Sequence, residues 1–101
     1  MAWHQVAQAS DIPPETARRV VADGVEVLVC NVGGTFYAIE DVCTHDGGPL
    51  DQGKLEGERV VCPRHGATFD VRTGEALTLP ALMPVATFAV RLDGDKLSVD
   101  V

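Results

Sequence analysis

The sequence predicts an all-β fold. Three observations carry this reading: apolar and polar residues alternate with period two towards both ends of the chain, glycine turns separate the alternating runs, and no window of ten or more residues keeps a helical period. A length of 101 residues matches one compact domain, so 1–101 is read as a single unit.

Taken in order, Met1-Ala2-Trp3-His4-Gln5 has neither the basic flank nor the apolar run of a leader. No apolar stretch approaches the roughly 20 residues needed to cross a bilayer, so a cytoplasmic location away from membranes is expected. The best helix candidate follows Ser10-Asp11-Ile12, but Pro13-Pro14 and the β-branched Val20-Val21 limit it to about a turn. Glu15–Val21 and Val25–Asn31 read as strands joined at Asp23-Gly24, a pair that tolerates the positive φ angles of a two-residue hairpin. Gly33-Gly34 then turns the chain into Thr35–Ile39. Near the C-terminus Phe88, Val90 and Leu92 alternate with polar or small neighbours, and Asp93-Gly94-Asp95 leads into Leu97, Val99 and Val101, a second hairpin. Between these ends, from about 42 to 80, glycine, proline and polar residues crowd together. That middle reads as a subdomain inserted in a β scaffold, with Leu55–Val61 as its own small hairpin.

Eight lysines and arginines against fifteen aspartates and glutamates leave a formal charge of −7. That sign disfavours a phosphate backbone and favours a basic protein surface as partner, with salt-sensitive association. Three cysteines are an odd number, so a disulfide framework is not expected; a buried thiol or metal ligation is.

The chemistry concentrates in Cys43-Thr44-His45 and Cys62-Pro63-Arg64-His65, with sixteen residues between His45 and Cys62. Each segment offers one thiolate and one imidazole on a short tether. Two sulfur and two nitrogen donors can close a metal site. Zinc accepts such a set, though its usual sequence pattern groups like with like. Mixed pairs also suit a two-iron cluster in which one iron takes both sulfurs and the other both imidazoles. The residues alone leave both open.

Cys43-x-His45, then Cys62-x-x-His65-Gly66, resembles the Rieske [2Fe–2S] motif, and the likeness in size and layout runs from Trp3 to Val101. It is most similar to the small Rieske-type ferredoxins of aromatic-ring dioxygenase systems. The resemblance implies an antiparallel β-sandwich or incomplete barrel carrying a cluster-binding subdomain, one [2Fe–2S] cluster, Cys43 and Cys62 on a buried iron, and His45 and His65 on an outer one. It implies a proline-containing cap, which Leu79-Pro80-Ala81 fits, and backbone close to the cluster at Gly47, Gly48 and Gly66, with amides turned towards its sulfurs. It further implies a one-electron carrier, itself not an enzyme, with a flavin-dependent reductase and a terminal oxygenase as transient partners. A monomer is favoured by size and charge. A small subunit of a larger reductase, such as nitrite reductase, and a zinc-stabilised interaction module are the alternatives.

High-potential Rieske proteins carry two further cysteines, joined across the loops; Gly48 and Arg64 stand at those positions here. They also place a serine after the second His-Gly and a tyrosine two positions later, where this chain has Ala67 and Phe69. Without those hydroxyl donors, and with Asp46, Asp51 and Asp70 nearby, the expected potential lies in the lower part of the Rieske range of roughly −150 to +300 mV. Cys30 reads as a buried free thiol, the aromatic residues as packing, and His4 as a surface residue.

Overall fold

A computed structural model describes residues 2–101; Met1, the first residue of the expected 1–101 unit, lies outside them. The strands are β1 (Trp3–Gln8), β2 (Thr16–Ala22), β3 (Val25–Val32), β4 (Thr35–Glu40), β5 (Leu55–Glu56), β6 (Arg59–Val61), β7 (Thr68–Asp70), β8 (Thr87–Asp93) and β9 (Lys96–Asp100). Six of them form an antiparallel sheet in the order β1-β9-β8-β4-β3-β2, and its two edge strands approach each other to make an incomplete barrel. The other three, in the order β5-β6-β7, form a second antiparallel sheet. Among the described residues the only helical element is a single 3-10 turn, Ala9–Asp11, where Pro13-Pro14 stops further winding.

Turn chemistry sets the hairpins. Asp23 and Gly24 sit at φ 50° and 77°, and the Ala22–Val25 pairing that they join fixes the register of β2 on β3. Gly33-Gly34 and Gly94-Asp95 close the β3–β4 and β8–β9 hairpins in the same two-residue manner. Several bounds differ from expectation by one residue: β2 ends at Ala22, β3 at Val32 and β4 at Glu40. Glu15 lies at φ 65°, outside the strand, so β2 begins at Thr16. Strand β1 pairs with β9 through a register shift between Gln5 and Ala7, which breaks the alternation that would have revealed it.

Strand β3 is buried on both faces. Val27 and Val29 point into the barrel with Ile12, Val20, Ala38, Leu97 and Val99. Leu28 and Cys30 point the other way, with Ile39, into a second core made with Cys43, Leu50, Val60, Cys62, Ala67, Phe69, Val71, Ala81 and Val85. The segment between β4 and β8 thus covers the outer face of the barrel, and its packing runs to Val85, beyond the expected limit near 80.

Asn31 joins the turns at one end. Its buried side chain donates from Nδ2 to the Ile12 carbonyl at 2.8 Å, and its Oδ1 accepts from the Gly34 amide at 2.7 Å. Asn31→Ala strands both partners and is expected to cost about 2 kcal/mol, lowering the melting temperature by about 10 °C in a calorimetric scan.

Candidate metal centre

Two loops leave the ends of strands and share one backbone frame. In the first, the Gly47 amide donates to the Cys43 carbonyl at 2.7 Å and the Cys43 amide donates to the Gly48 carbonyl at 2.7 Å. In the second, Gly66 donates to Cys62 at 3.0 Å and Cys62 donates to Ala67 at 2.7 Å. The fifth residue of each loop is a glycine at φ 76°, a conformation that strains residues bearing a Cβ. This corrects the reading of the glycines as cluster donors: the amides of Gly47 and Gly66 are spent inside their loops, and that of Gly48 donates to Asp46 Oδ1 at 2.9 Å. The backbone at His45 and Asp46 instead favours negative charge at Cys43.

The frame gives each loop a buried cysteine and an exposed histidine. Relative to its cysteine, however, His45 stands two residues on and His65 three. Cys43 and Cys62 lie within the second core with their sulfurs within 4.8 Å of each other, and burial pushes the Cys43 thiol up. The rings of His45 and His65 meet edge to face, with centroids 5.2 Å apart. Among the described residues the donor atoms fall into two groups, Cys43 with Cys62 and His45 with His65, each including Asp46 and each with its atoms within 4.8 Å of one another. A single tetrahedral zinc ion needs all four ligand atoms within about 4 Å of each other. Sulfurs inside and imidazoles outside suit a group with two metal positions better than one.

Arg64, beside His65, reaches across to the first loop. Its Nε donates to Asp46 Oδ2 at 2.5 Å, Nη2 to Asp46 Oδ1 at 3.1 Å, and Nη1 to the Pro49 carbonyl at 2.9 Å. This pairing holds the Asp46 carboxyl well below its usual range and raises Arg64. Cys30, Cys43 and Cys62 are all free, with Gly48 and Arg64 at the positions of the loop-to-loop disulfide.

Asp41, at the end of β4, is a positioning residue that the sequence reading missed. Its enclosed carboxylate accepts the Leu50 amide at 2.7 Å and faces Arg19 Nε at 3.4 Å, tying the barrel to the end of the first loop; burial raises its pKa. Only the density of acids around the motif hinted at it. The expected cap is in place: Ala81 is buried with the cysteines, and the Thr44 hydroxyl donates to the Met83 carbonyl at 2.7 Å. Ala67 and Phe69 are both fully buried in that core. Cys30 is fully enclosed, and burial pushes its thiol up to about 12. His4 departs from expectation, being half-buried with Nε2 enclosed. Of the three acids expected to lower the potential, Asp46 is paired with Arg64 and Asp70 with Arg72, so their charges are largely offset.

The family model for the Rieske [2Fe–2S] domain matches residues 2–89. The ferredoxin component of biphenyl 2,3-dioxygenase from Rhodococcus jostii (strain RHA1) is 43% identical over 101 residues, covering 100% of this chain and 94% of that protein. The ferredoxin of carbazole 1,9a-dioxygenase from Nocardioides aromaticivorans IC177 superposes with a TM-score of 0.93 at 35% identity, covering 98% and 97% of the two chains. A chain in a complex of reduced oxygenase and oxidised ferredoxin of carbazole 1,9a-dioxygenase gives 0.91 at 40% identity, covering 96% and 91%. The chain belongs to the Rieske [2Fe–2S] domain family, and its cofactor is a Rieske-type [2Fe–2S] cluster.

The second sheet that carries the Cys62 loop is braced by Arg72, whose Nη2 lies 2.9 Å from Asp70 Oδ2 and 2.8 Å from Glu58 Oε2. Asp70 is held below the ordinary carboxylate range, first by the Arg72 side chain. A depressed folded-state pKa contributes stability that is present above the unfolded value of about 4 and is lost as pH falls through the folded value. Asp70→Asn is therefore expected to lower the urea midpoint at pH 7, and the gap from the native protein should narrow towards pH 3.

Proposed function

We propose that this chain is the one-electron carrier of an aromatic-ring dioxygenase system, passing electrons from a flavin-dependent reductase to a terminal oxygenase. It works as a monomer in the cytoplasm, as one domain whose region of about 42–80 carries the cluster. Cys43, His45, Cys62 and His65 are the ligands. The observation that carries this reading is the separation of donors: buried sulfurs behind, two exposed imidazoles meeting at the surface.

The bound cluster supplies a one-electron couple. Everything else is the work of this chain. The thiolates of Cys43 and Cys62 sit in an apolar core that excludes water, and the backbone at His45 and Asp46 favours negative charge at Cys43. His45 and His65 carry their rings to solvent, so a partner touching those edges would reach the group they hold through a single side chain. With Cys43, His45, Cys62 and His65 holding the group, the chain would leave it no position for substrate, in keeping with the dioxygenase ferredoxins, which are carriers and not themselves catalysts. Leu79, Leu82 and Met83 stand exposed on the cap beside the first loop, an apolar contact area suited to brief encounters.

The test is transfer itself. Reduced protein mixed rapidly with an oxidised terminal oxygenase of the aromatic-ring dioxygenase class, that of biphenyl 2,3-dioxygenase first, should be reoxidised by one electron per chain; failure to reoxidise at saturating oxygenase would overturn the role. The ligand set has a separate check. Cys43→Ser and Cys62→Ser are each expected to abolish the visible absorption of the cluster, whereas Cys30→Ser should retain full iron and sulfide by analysis.

Ala67 and Phe69, both enclosed beside the cysteines, put the potential in the lower part of the family's range. Ala67→Ser and Phe69→Tyr each add a neutral donor worth about 1 kcal/mol to the reduced state, or about 40 mV for a one-electron couple. Voltammetry of the double variant should show an upward shift; an unchanged wave would remove hydroxyl donation as the cause.

A further inference from the structure

The two ligand loops can be aligned through their shared hydrogen-bond frame. Cys43 then matches Cys62, Gly47 matches Gly66 and Gly48 matches Ala67. Between these, His45 falls opposite Arg64 and Asp46 opposite His65. The same two frame positions therefore hold two crossed pairs: the imidazoles of His45 and His65, and the ion pair of Asp46 with Arg64.

We propose that the Arg64–Asp46 pair is the clasp that fixes the two ligand loops to each other, a positioning device for the histidines; the proposal rests on the ligand set given above. Four contacts converge on it. Two run from the guanidinium to the carboxylate, through Nε and Nη2, forming the forked geometry that only arginine provides. A third, Nη1 to the Pro49 carbonyl at 2.9 Å, anchors the arginine further along the first loop. The fourth orients the carboxylate from its own side, the Gly48 amide donating to Asp46 Oδ1 at 2.9 Å.

Gly48 supplies an independent sign. A Cβ built there would lie 2.6 Å from Arg64 Cζ, 2.8 Å from Nη2 and 2.9 Å from Nε. The guanidinium fills the space that a side chain at 48 would take, so a bare glycine here is the seat of the clasp. The contact spans 18 positions of chain. Asp46 and Arg64 both stand at the surface, so the weight of the contact comes from its forked geometry and its extra anchors rather than from burial.

The test uses the intact holoprotein with no redox partner. The half-life of the visible cluster absorption is followed in the presence of a ferrous chelator, alongside the electron paramagnetic resonance of the reduced form. Arg64→Gln and Asp46→Asn are each expected to shorten the half-life about tenfold and to broaden the resonance. The double variant should fall well short of the sum of the two singles, since the Arg64–Asp46 contact cannot be lost twice. Arg64→Lys should rescue only in part, having charge without the fork. Gly48→Ala touches neither charge and has no positive φ to strain, yet it should push the guanidinium aside and shorten the half-life in the same direction as Arg64→Gln, by less. Unchanged half-lives in the singles, or fully additive losses in the double, would overturn the clasp. Should the native protein carry no iron and sulfide, it is the ligand set that fails, which the iron analysis shows separately.

Discussion

The structure depends on a strand that cannot face water on either side. β3 places Val27 and Val29 in the barrel and Leu28 and Cys30 on its outer face, and all four are fully buried. A half-exposed antiparallel strand would alternate apolar with polar; this one runs apolar and buried without a break from Val27 to Cys30, so the barrel is unfinished without a second layer. β4 repeats the demand, with Ala38 inward and Ile39 outward. The inserted segment answers it with Leu50, Val60, Phe69, Val71, Ala81 and Val85. The two cysteines lie in that same layer. What holds the subdomain on the scaffold is therefore also what keeps water from the sulfurs, and the stability of the fold and the environment of the cluster cannot be adjusted separately.

From that layer outward, the arrangement follows from loop length. Each loop turns through a glycine that lets the fifth residue's amide return to the cysteine carbonyl, so a six-residue turn lifts its middle residues to the surface while the cysteine stays below. The histidines are among those middle residues. Burial of sulfur and exposure of nitrogen are two consequences of one backbone hydrogen-bond pattern used twice. Because the histidines occupy different positions in it, the remaining two positions are free to carry Asp46 and Arg64, which face each other as the imidazoles do.

Most of the barrel was legible because period-two alternation and two-residue turns are local signals. Asp23-Gly24, Gly33-Gly34 and the Gly94 turn each mark a hairpin whose register follows from the turn itself. β1 was not legible, since its bulge after Gln5 interrupts the alternation and its partner β9 lies at the far end of the chain. β7 was not legible either: Thr68, Phe69 and Asp70 are all buried, and three residues are too few to show a period. The four donor residues stood out by type and spacing. Their neighbours did not, because their roles depend on contacts between loops: Gly48 looked like a place for the cluster and is instead the seat of a guanidinium, and Asp46 and Asp70 looked like free charges and are instead paired. Residue type predicted chemistry at the site, whereas the partners of each charge required three dimensions.

Those pairings also bear on how a carrier of net charge −7 can present a neutral face. Asp46, the acid nearest the imidazoles, is matched by Arg64, and the exposed groups on the adjacent cap are Leu79, Leu82 and Met83. In the proposed role, the charge acts over distance and the tip acts at contact. Long-range attraction of a basic partner raises the encounter rate and weakens with salt, while a small apolar tip forms contacts without burying an unpaired charge. An exposed, unmatched Asp46 would have to be desolvated at every encounter. Pairing it within the chain removes that cost from each encounter, so the same ion pair that lies across the ligand loops also leaves the imidazole edges free to be covered and uncovered quickly.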